Sequence, residues 1–340
     1  MSSKNGLEIN HINVMVARKL IEGWTRADQR MKVIRDLNNI PPEFRDAYVT
    51  IGNFDGVHLG HIPILKKLID EAHKENRSAL VITFDPHPKR VLHPEIKPFY
   101  LITSIEEKIK LLEDTGIDGL ILIPFDLEFS KTSAEAFVNR ILWDKLHIRK
   151  IFIGHDYTFG KNKVGNEAFL FSRGKKLGFD VDVFHAVKLG DEIVSSTRLR
   201  YAILNGNVKM AAGLLGRPYN ISGTVVPGKS RGTALGIPTA NIKPDKELLP
   251  AQGVYAVIVN RGGERYQGVL NIGFNPTFSD NELAIEVFLF DFMGDIYGEK
   301  LNILFIERIR DEIKFDKPER LVEQIKRDIH QAKAILNPYF

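Results

Sequence analysis

The sequence predicts an α/β chain in two parts: an N-terminal doubly wound parallel sheet, then a small C-terminal antiparallel β-barrel with a terminal helix. Three observations predict it. From residue 48 to about 190, short strands that are apolar on both faces alternate with amphipathic helices, the pattern of a parallel sheet covered on both sides. From about residue 220, closely spaced β-rich runs separated by Gly, Asn, Pro and Asp replace that alternation. A length of 340 residues, at a prior of roughly 150 per domain, also holds about two domains.

The elements follow in order. Residues 48–53 (YVTIGN) read as a strand, and 61–76 as a helix with Ile64, Leu65, Leu68, Ile69 and Ala72 at helical spacing. Residues 79–84 (ALVITF) form a nearly all-apolar strand. A helix follows Ser104, which stands at capping-box spacing from Glu107, with Ile105, Ile109 and Leu112 along one face. Residues 120–124 read as a strand, 134–146 as a helix, and 150–154 and 181–186 as two more strands. The first domain is expected over 31–200, a helical connector over 201–219 and the second domain over 220–340. Barrel strands are expected at 221–226, 254–260, 267–272, 283–290 and 301–306. The last helix starts near Pro318, capped by Asp316, and runs to about Ile335. Residues 1–30 carry no motif and read as an extension, with Met31 resembling a natural start.

Composition narrows the function classes. Hydrophobic residues at 44% and charged residues at 26% supply a core for each domain and exclude wholesale disorder. The chain has no cysteine, which excludes disulfides, thiolate zinc sites, iron–sulfur clusters and cysteine nucleophiles. No apolar run approaches the ~20 residues of a membrane-spanning helix. The apolar stretch at 12–17 is followed by Arg18 and Lys19 where a signal peptide has small residues, so a cytoplasmic location without membrane contact is expected. The net charge of +4 is spread as +2, +1 and +1 over 1–30, 31–200 and 201–340, against the concentrated patch of a nucleic-acid module.

Polar residues gather where the first four strands end. Ligands of an open parallel sheet bind beyond the carboxyl ends of its strands. The first strand ends in Gly52, Asn53, Phe54, Asp55, Gly56, His58 and His61, and the second in Asp85 and His87. The third ends in Asp126, and the fourth in Gly154, Asp156, Phe159 and Gly160. Gly52 and Gly56 allow close approach of a ligand, while His58 and His61, at a helix start, suit phosphate. Taken singly, either histidine reads as a capping residue or half of a metal pair; the ten-residue motif after a strand favours nucleotide binding.

In the second domain, GTVVPGKS from Gly223 satisfies a phosphate-loop pattern, but Gly223 falls inside an expected strand and no helix follows, so the match is accidental. Thr239 and Asn241 stand two apart, so an extended chain points both to one side as hard oxygen donors suited to magnesium beside phosphate; a polar turn after Pro238 is the plain alternative. Glu286 is the one charge in LAIEVFLF and needs a partner or a purpose, a structural ion pair or a catalytic task.

GNFDGVHLGH, TFDPHP, FIGHDYTFG followed by KNKVGN, VSSTRLR and LGIPTAN together resemble the bacterial bifunctional riboflavin kinase/FMN adenylyltransferase family, the prokaryotic FAD synthetases, from Met31 onward. The resemblance implies an adenylyltransferase half in which His58, His61 and Arg200 contact ATP phosphates, with Ser195, Ser196 and Thr197 in the second nucleotide motif. The GHDYTFG loop would shape the adenine and flavin surroundings. It implies a kinase half in which Thr239 and Asn241 hold Mg2+ and Glu286 is the base, with riboflavin, FMN, FAD and ATP as substrates and products. The sequence departs from the family pattern at Ile237, near Thr233 and near Phe288. Three rivals are a flavin-binding regulator without turnover, an adenylyltransferase for another small phosphate ester and an RNA-binding protein. A protein starting at Met31 is expected to keep both activities; a melting temperature lower by about 10 °C would instead reveal a packed element before it.

Overall fold

The computed structural model describes residues 30–95, 99–228, 237–274 and 283–340, so the expected extension lies, but for Arg30, outside the described residues. The chain divides into two compact units. One comprises the chain up to Phe99 with Thr103–Ser195, the other Tyr100–Ile102 with Ser196–Phe340.

The first unit holds a six-stranded sheet of β1 (Lys32–Ile34), β2 (Tyr48–Ile51), β3 (Ala79–Asp85), β4 (Gly119–Pro124), β5 (Lys150–Gly154) and β6 (Asp180–Phe184). The strand order is β1-β4-β3-β2-β5-β6 and every pair is parallel. Its helices are α1 (Ile62–Lys74), α2 (Pro88–Leu92), α3 (Ile105–Glu113), α4 (Ala134–Phe137, widening into a π-helix over Val138–Lys145) and α5 (Glu167–Leu177). Alternate strand residues face opposite layers. Val49, Ile51, Leu80, Ile82, Ile121, Ile123, Ile151 and Ile153 pack with Phe137, Val138, Ile141, Leu142 and Leu170 of α4 and α5. Tyr48, Ala79, Val81, Leu120 and Phe152 pack with Leu65, Leu68, Ala72 and Leu112 of α1 and α3. The doubly wound architecture is the expected one, and Ser104 caps α3 as its spacing predicts, its Oγ accepting from the Glu107 N–H at 3.1 Å.

Four features of this unit were not expected, the first being α2, a five-residue helix with no buried residue. Strand β1 has only three residues, two of them exposed. Helix α5 carries Gly174 in its interior, where a Cβ would come within 2.4 Å of the Phe179 carbonyl oxygen, so a residue that weakens the helical pattern is there for packing. A hairpin of β7 (Lys188–Leu189) and β8 (Glu192–Ile193) is too short to show in periodicity.

The second unit begins with α6 (Ser196–Leu204) and α7 (Val208–Leu215). It continues as a closed antiparallel barrel of β9 (Tyr219–Val226), β10 (Ala240–Pro244), β11 (Gly253–Arg261), β12 (Glu264–Phe274), β13 (Leu283–Leu289) and β14 (Lys300–Arg310), in the order β10-β13-β12-β11-β14-β9. Tyr219, Ile221, Tyr255, Val257, Leu270, Val287, Ile303 and Phe305 are buried within it, with Phe305 edge-on to Tyr255 at 5.3 Å. Helix α8 (Pro318–Leu336) covers part of the outer face, setting Ala332 and Leu336 against Val254, Ala256, Ile258, Val269, Phe290 and Ile306. Asp328, only 3% exposed, anchors that helix by accepting from Arg310 Nε at 2.9 Å and Nη2 at 2.7 Å.

Two features of this half differ from the expectation. Asp316 does not cap α8: Lys317 occupies the N-cap position without a side-chain bond, Pro318 removes one of the donors a cap would satisfy, and Asp316 accepts from Arg320 instead. Strand β10 was unexpected because ANIKP is short, polar and ends in proline. Gly223 lies inside β9, opposite Pro244 and Leu301, as the rejection of a phosphate loop required; Lys229 and Ser230 lie outside the described residues. Phe305→Ala is expected to destabilise the barrel by about 3–5 kcal/mol, read as a lower denaturant midpoint of the second unit.

Candidate active sites

Because every pair in the sheet is parallel, the loops after β2, β3, β4 and β5 leave the same edge. The loop after β2 is the most constrained. Its backbone is left-handed at Phe54 (φ +46°), Gly56 (φ +87°) and Val57 (φ +37°), and Phe54 and Val57 are both 3% exposed. Non-glycine residues in that region cost of order 1 kcal/mol or more each and persist only where surrounding contacts enforce them. Here those contacts come from behind. The Asn53 carbonyl accepts from Thr83 Oγ1 at 3.2 Å and Lys108 Nζ at 2.9 Å. The Asp55 carboxylate, 1% exposed, accepts from the Thr103 N–H at 3.3 Å, and the Gly56 N–H donates to Thr103 Oγ1 at 3.2 Å.

The loop delivers two histidines to the start of α1. Their rings stack, with centroids 3.7 Å apart and planes 17° from parallel. His58 Nδ1 accepts from the Gly60 N–H at 3.1 Å, and His61 Nδ1 accepts from the His58 N–H at 3.3 Å. Both Nδ1 atoms are thus acceptors, which makes Nε2 the N–H of each neutral ring. Gly60 is required for this: a Cβ there would lie 2.9 Å from the His58 ring and 3.0 Å from the Val194 carbonyl oxygen. His61 stands at the N-cap position of α1 and Pro63 in its first turn, beside backbone donors that suit an anion.

The remaining loops divide between structure and surface. His87, 5% exposed, caps α2 by accepting from the Lys89 N–H at 3.1 Å. Asp126 accepts from the Phe129 N–H at 2.6 Å and starts the turn after β4, while Asp85 ends β3. After β5, Gly154 and the exposed Asp156 lead to Tyr157 and Phe159, whose rings stack at 5.8 Å. Gly160, at φ +72°, passes α4 so closely that a Cβ would meet the Ala134 nitrogen at 2.5 Å. Burial pushes the Tyr157 hydroxyl above its ordinary pKa. Phe84, Phe125, Phe129, Phe137 and Phe159 form a continuous aromatic series with successive centroids 5.5–6.4 Å apart; Phe137 and Phe159 are buried in the core, and Phe84 and Phe129 pack against it.

In the second unit, Ser196, Thr197 and Arg200 stand on α6, where Arg200 Nε donates to the Tyr100 carbonyl at 2.7 Å; Ser195 ends the first unit. On the barrel, strand register gathers a polar row. Asn241 lies opposite Glu286, and Glu286 opposite Asn271, so the three side chains share one face at neighbour distance. The next residue in the row, Val254, packs under α8, so this is the outer face, and Glu286 is half-buried there. Thr239 immediately precedes β10, and at Gly228 a Cβ would fall 1.8 Å from Asn241 Nδ2, so only glycine leaves that carboxamide its place. A Glu312 carboxylate oxygen and Asn271 Nδ2 approach the Gly273 Cβ position at 2.2 and 3.2 Å, adding a second acid to this patch. Leu235, Gly236 and the segment Pro276-Thr277-Phe278 lie outside the described residues.

Lys108, Thr83, Thr103 and Glu312 were missed. Lys108 alone carried a signal: it interrupts the apolar stripe of Ile105, Ile109 and Leu112.

Among the described residues no helix is long and apolar enough to cross a membrane, and no group of three or more His, Cys, Asp or Glu could hold a metal. Residues 40–198 match a family model described as FAD synthetase, and residues 215–336 one described as riboflavin kinase. A solved structure from Streptococcus pneumoniae, described as a macrolide-efflux protein, shares the fold with a TM-score of 0.81 at 35% identity, covering 89% of this chain and 98% of that one. The bifunctional riboflavin kinase/FMN adenylyltransferase of Escherichia coli K12 is 36% identical over 88% of this chain and 96% of its own length. That of Haemophilus influenzae is 38% identical over 90% of this chain and 100% of its own. With both catalytic segments matched and relatives aligned along nearly their whole length, the chain belongs to the bifunctional riboflavin kinase/FMN adenylyltransferase family.

Proposed function

We propose that this chain phosphorylates riboflavin with ATP to give FMN, then adenylylates FMN with a second ATP to give FAD and pyrophosphate. One observation carries the reading. The two segments matched as FAD synthetase and riboflavin kinase each contain an arrangement suited to the step: a histidine pair at a helix N-terminus in the first, and a carboxylate between two carboxamides in the second.

In the barrel, Glu286 accepts the proton of the riboflavin 5′-hydroxyl as that oxygen attacks the γ-phosphorus of ATP. Enzymes of this ATP-dependent family use a divalent metal, which we take to be Mg2+. The donor set fits it: a hydroxyl at Thr239 and an amide oxygen at Asn241 are hard ligands of the kind that share magnesium with phosphate. When bound, the ion neutralises charge on the transferring phosphate. Asn241 and Asn271 flank the carboxylate on the neighbouring strands.

In the sheet unit, the FMN phosphate attacks the α-phosphorus of ATP and pyrophosphate leaves. His58 and His61 donate through Nε2 to phosphate oxygens as charge builds; by the family resemblance, Arg200 and Ser195, Ser196 and Thr197 of the second motif also serve the adenylyltransferase step. The backbone from Gly52 to Gly56 cradles the nucleotide. Asp85, Gly154, Asp156 and Gly160 border the bound flavin and adenine, Phe159 braces their loop from the core, and His87 and Asp126 shape the loops. Asp55, buried against Thr103, supports the cradle from behind. No covalent enzyme intermediate is needed. The protein is expected to act in the cytoplasm.

Incubation with riboflavin, ATP and magnesium, followed by chromatography of the flavins, tests the whole reading; no FMN and no FAD would favour a flavin-binding regulator. His61→Ala is expected to slow FAD formation by about 10²–10³-fold while riboflavin phosphorylation persists. Loss of both activities in folded protein would refute two separate sites. Glu286→Gln is expected to slow FMN formation by about 10²–10⁴-fold, with FMN-to-FAD conversion intact. A lower melting temperature with normal kinase rate would instead make Glu286 a structural partner.

A further inference from the structure

We infer that Lys108 is the positioning residue of the nucleotide loop, a buried cation whose bond to the Asn53 carbonyl keeps residues 53–58 in the shape that presents His58 and His61. The inference rests on the adenylyltransferase reading of that loop.

A lysine is almost never fully buried without a compensating partner, yet Lys108 is 5% exposed within the apolar stripe of α3. It donates to a backbone carbonyl in the loop after β2, at 2.9 Å, and not to a surface carboxylate. Thr83 Oγ1 binds the same carbonyl from β3 at 3.2 Å, so Asn53 is pinned from two elements. The chain turns left-handed in the next residue, Phe54, and again at Val57, the two non-glycine positions whose backbone needs outside support. An ordinary packing residue could fill this space without a charge. A charge has two uses here: it strengthens the bond that fixes the carbonyl, and it offsets Asp55 and Asp85, the carboxylates that face it from the loop and from the end of β3. Without the ammonium, both would turn negative potential toward a site meant for polyphosphate. Burial pushes the Lys108 ammonium below its ordinary pKa, with Asp55 and Asp85 opposing, so its charge is lost earlier on the alkaline side than that of a solvated lysine.

The test uses the full chain, with FMN adenylylation, riboflavin phosphorylation and melting temperature measured on the same sample. Lys108→Met keeps the stem and removes the charge. It is expected to lower kcat/KM for FMN adenylylation by about 100-fold, mainly through KM for ATP, with the kinase rate unchanged. Lys108→Arg, which keeps the charge, is expected to recover a large part of that loss. In the unmodified protein the ratio of adenylylation to phosphorylation is expected to fall with rising pH before about 10.4, where a solvated lysine titrates. A Lys108→Met protein within about twofold of the unmodified rate overturns the inference. If that variant does not fold, a rate ratio that stays flat up to that pH overturns it. An unmodified protein that makes no FAD from FMN overturns the underlying reading instead.

Discussion

The parallel pairing of β2 with both β3 and β5 is the constraint on which the first site depends. It sets the loops that follow these strands side by side and leaves their backbone groups without ladder partners. Those groups must be satisfied or offered to a ligand, and the loop after β2 does both. Its rear is bonded to Thr83, Thr103 and Lys108, while its far end delivers the stacked histidines to the start of α1. The two layers of helices supply the rigidity: strands buried on both faces cannot shift register without exposing a whole apolar set.

In the barrel the same role falls to antiparallel register. Closure of β9 through β14 leaves no free edge, so each strand's alternation is fixed by its neighbours. Asn241, Glu286 and Asn271 lie in one row because they are opposite residues on β10, β13 and β12. A one-residue slip of β13 would replace Glu286 by an apolar neighbour and turn the carboxylate into the barrel, an expensive place for a charge. The apolar interior that opposes this slip is therefore also what holds the polar row outside.

Most of the architecture was legible because its signals are local. The central strands β3 and β4 are nearly all-apolar runs and α1 and α3 have clear apolar stripes, so the middle of the sheet and the layer these two helices form could be read from periodicity. Elements whose identity comes from tertiary context were not legible. Strand β10 is polar and short, and it is a strand because β9 and β13 hold it on either side. Helix α5 keeps an interior glycine for the sake of a neighbouring carbonyl. The same division runs through the sites. Residues that face a ligand could be proposed from motifs, whereas those that brace them, Thr83, Thr103 and Lys108, come from other strands and helices, and sequence spacing cannot pair them with Asn53 or Asp55.

The charge of each nucleophile explains why the two sites are built so differently. In the proposed kinase step the nucleophile is a neutral hydroxyl, whose proton must be removed, and a carboxylate such as Glu286 is an asset there. In the adenylyl transfer the nucleophile is a phosphate that is already ionised. It needs no base, but it must approach another anion, and an accessible carboxylate would add to the repulsion. In the proposed sheet-unit site, histidine Nε2–H groups and a helix N-terminus answer that demand. Asp55, the carboxylate within the same loop, is withdrawn to 1% exposure, bonded to Thr103 and faced by the Lys108 ammonium. The proposed kinase site thus keeps a half-buried acid beside its nucleophile, whereas the loop that carries the histidines withdraws its own carboxylate, since the phosphate that the first reaction adds is the charge that the second must accommodate.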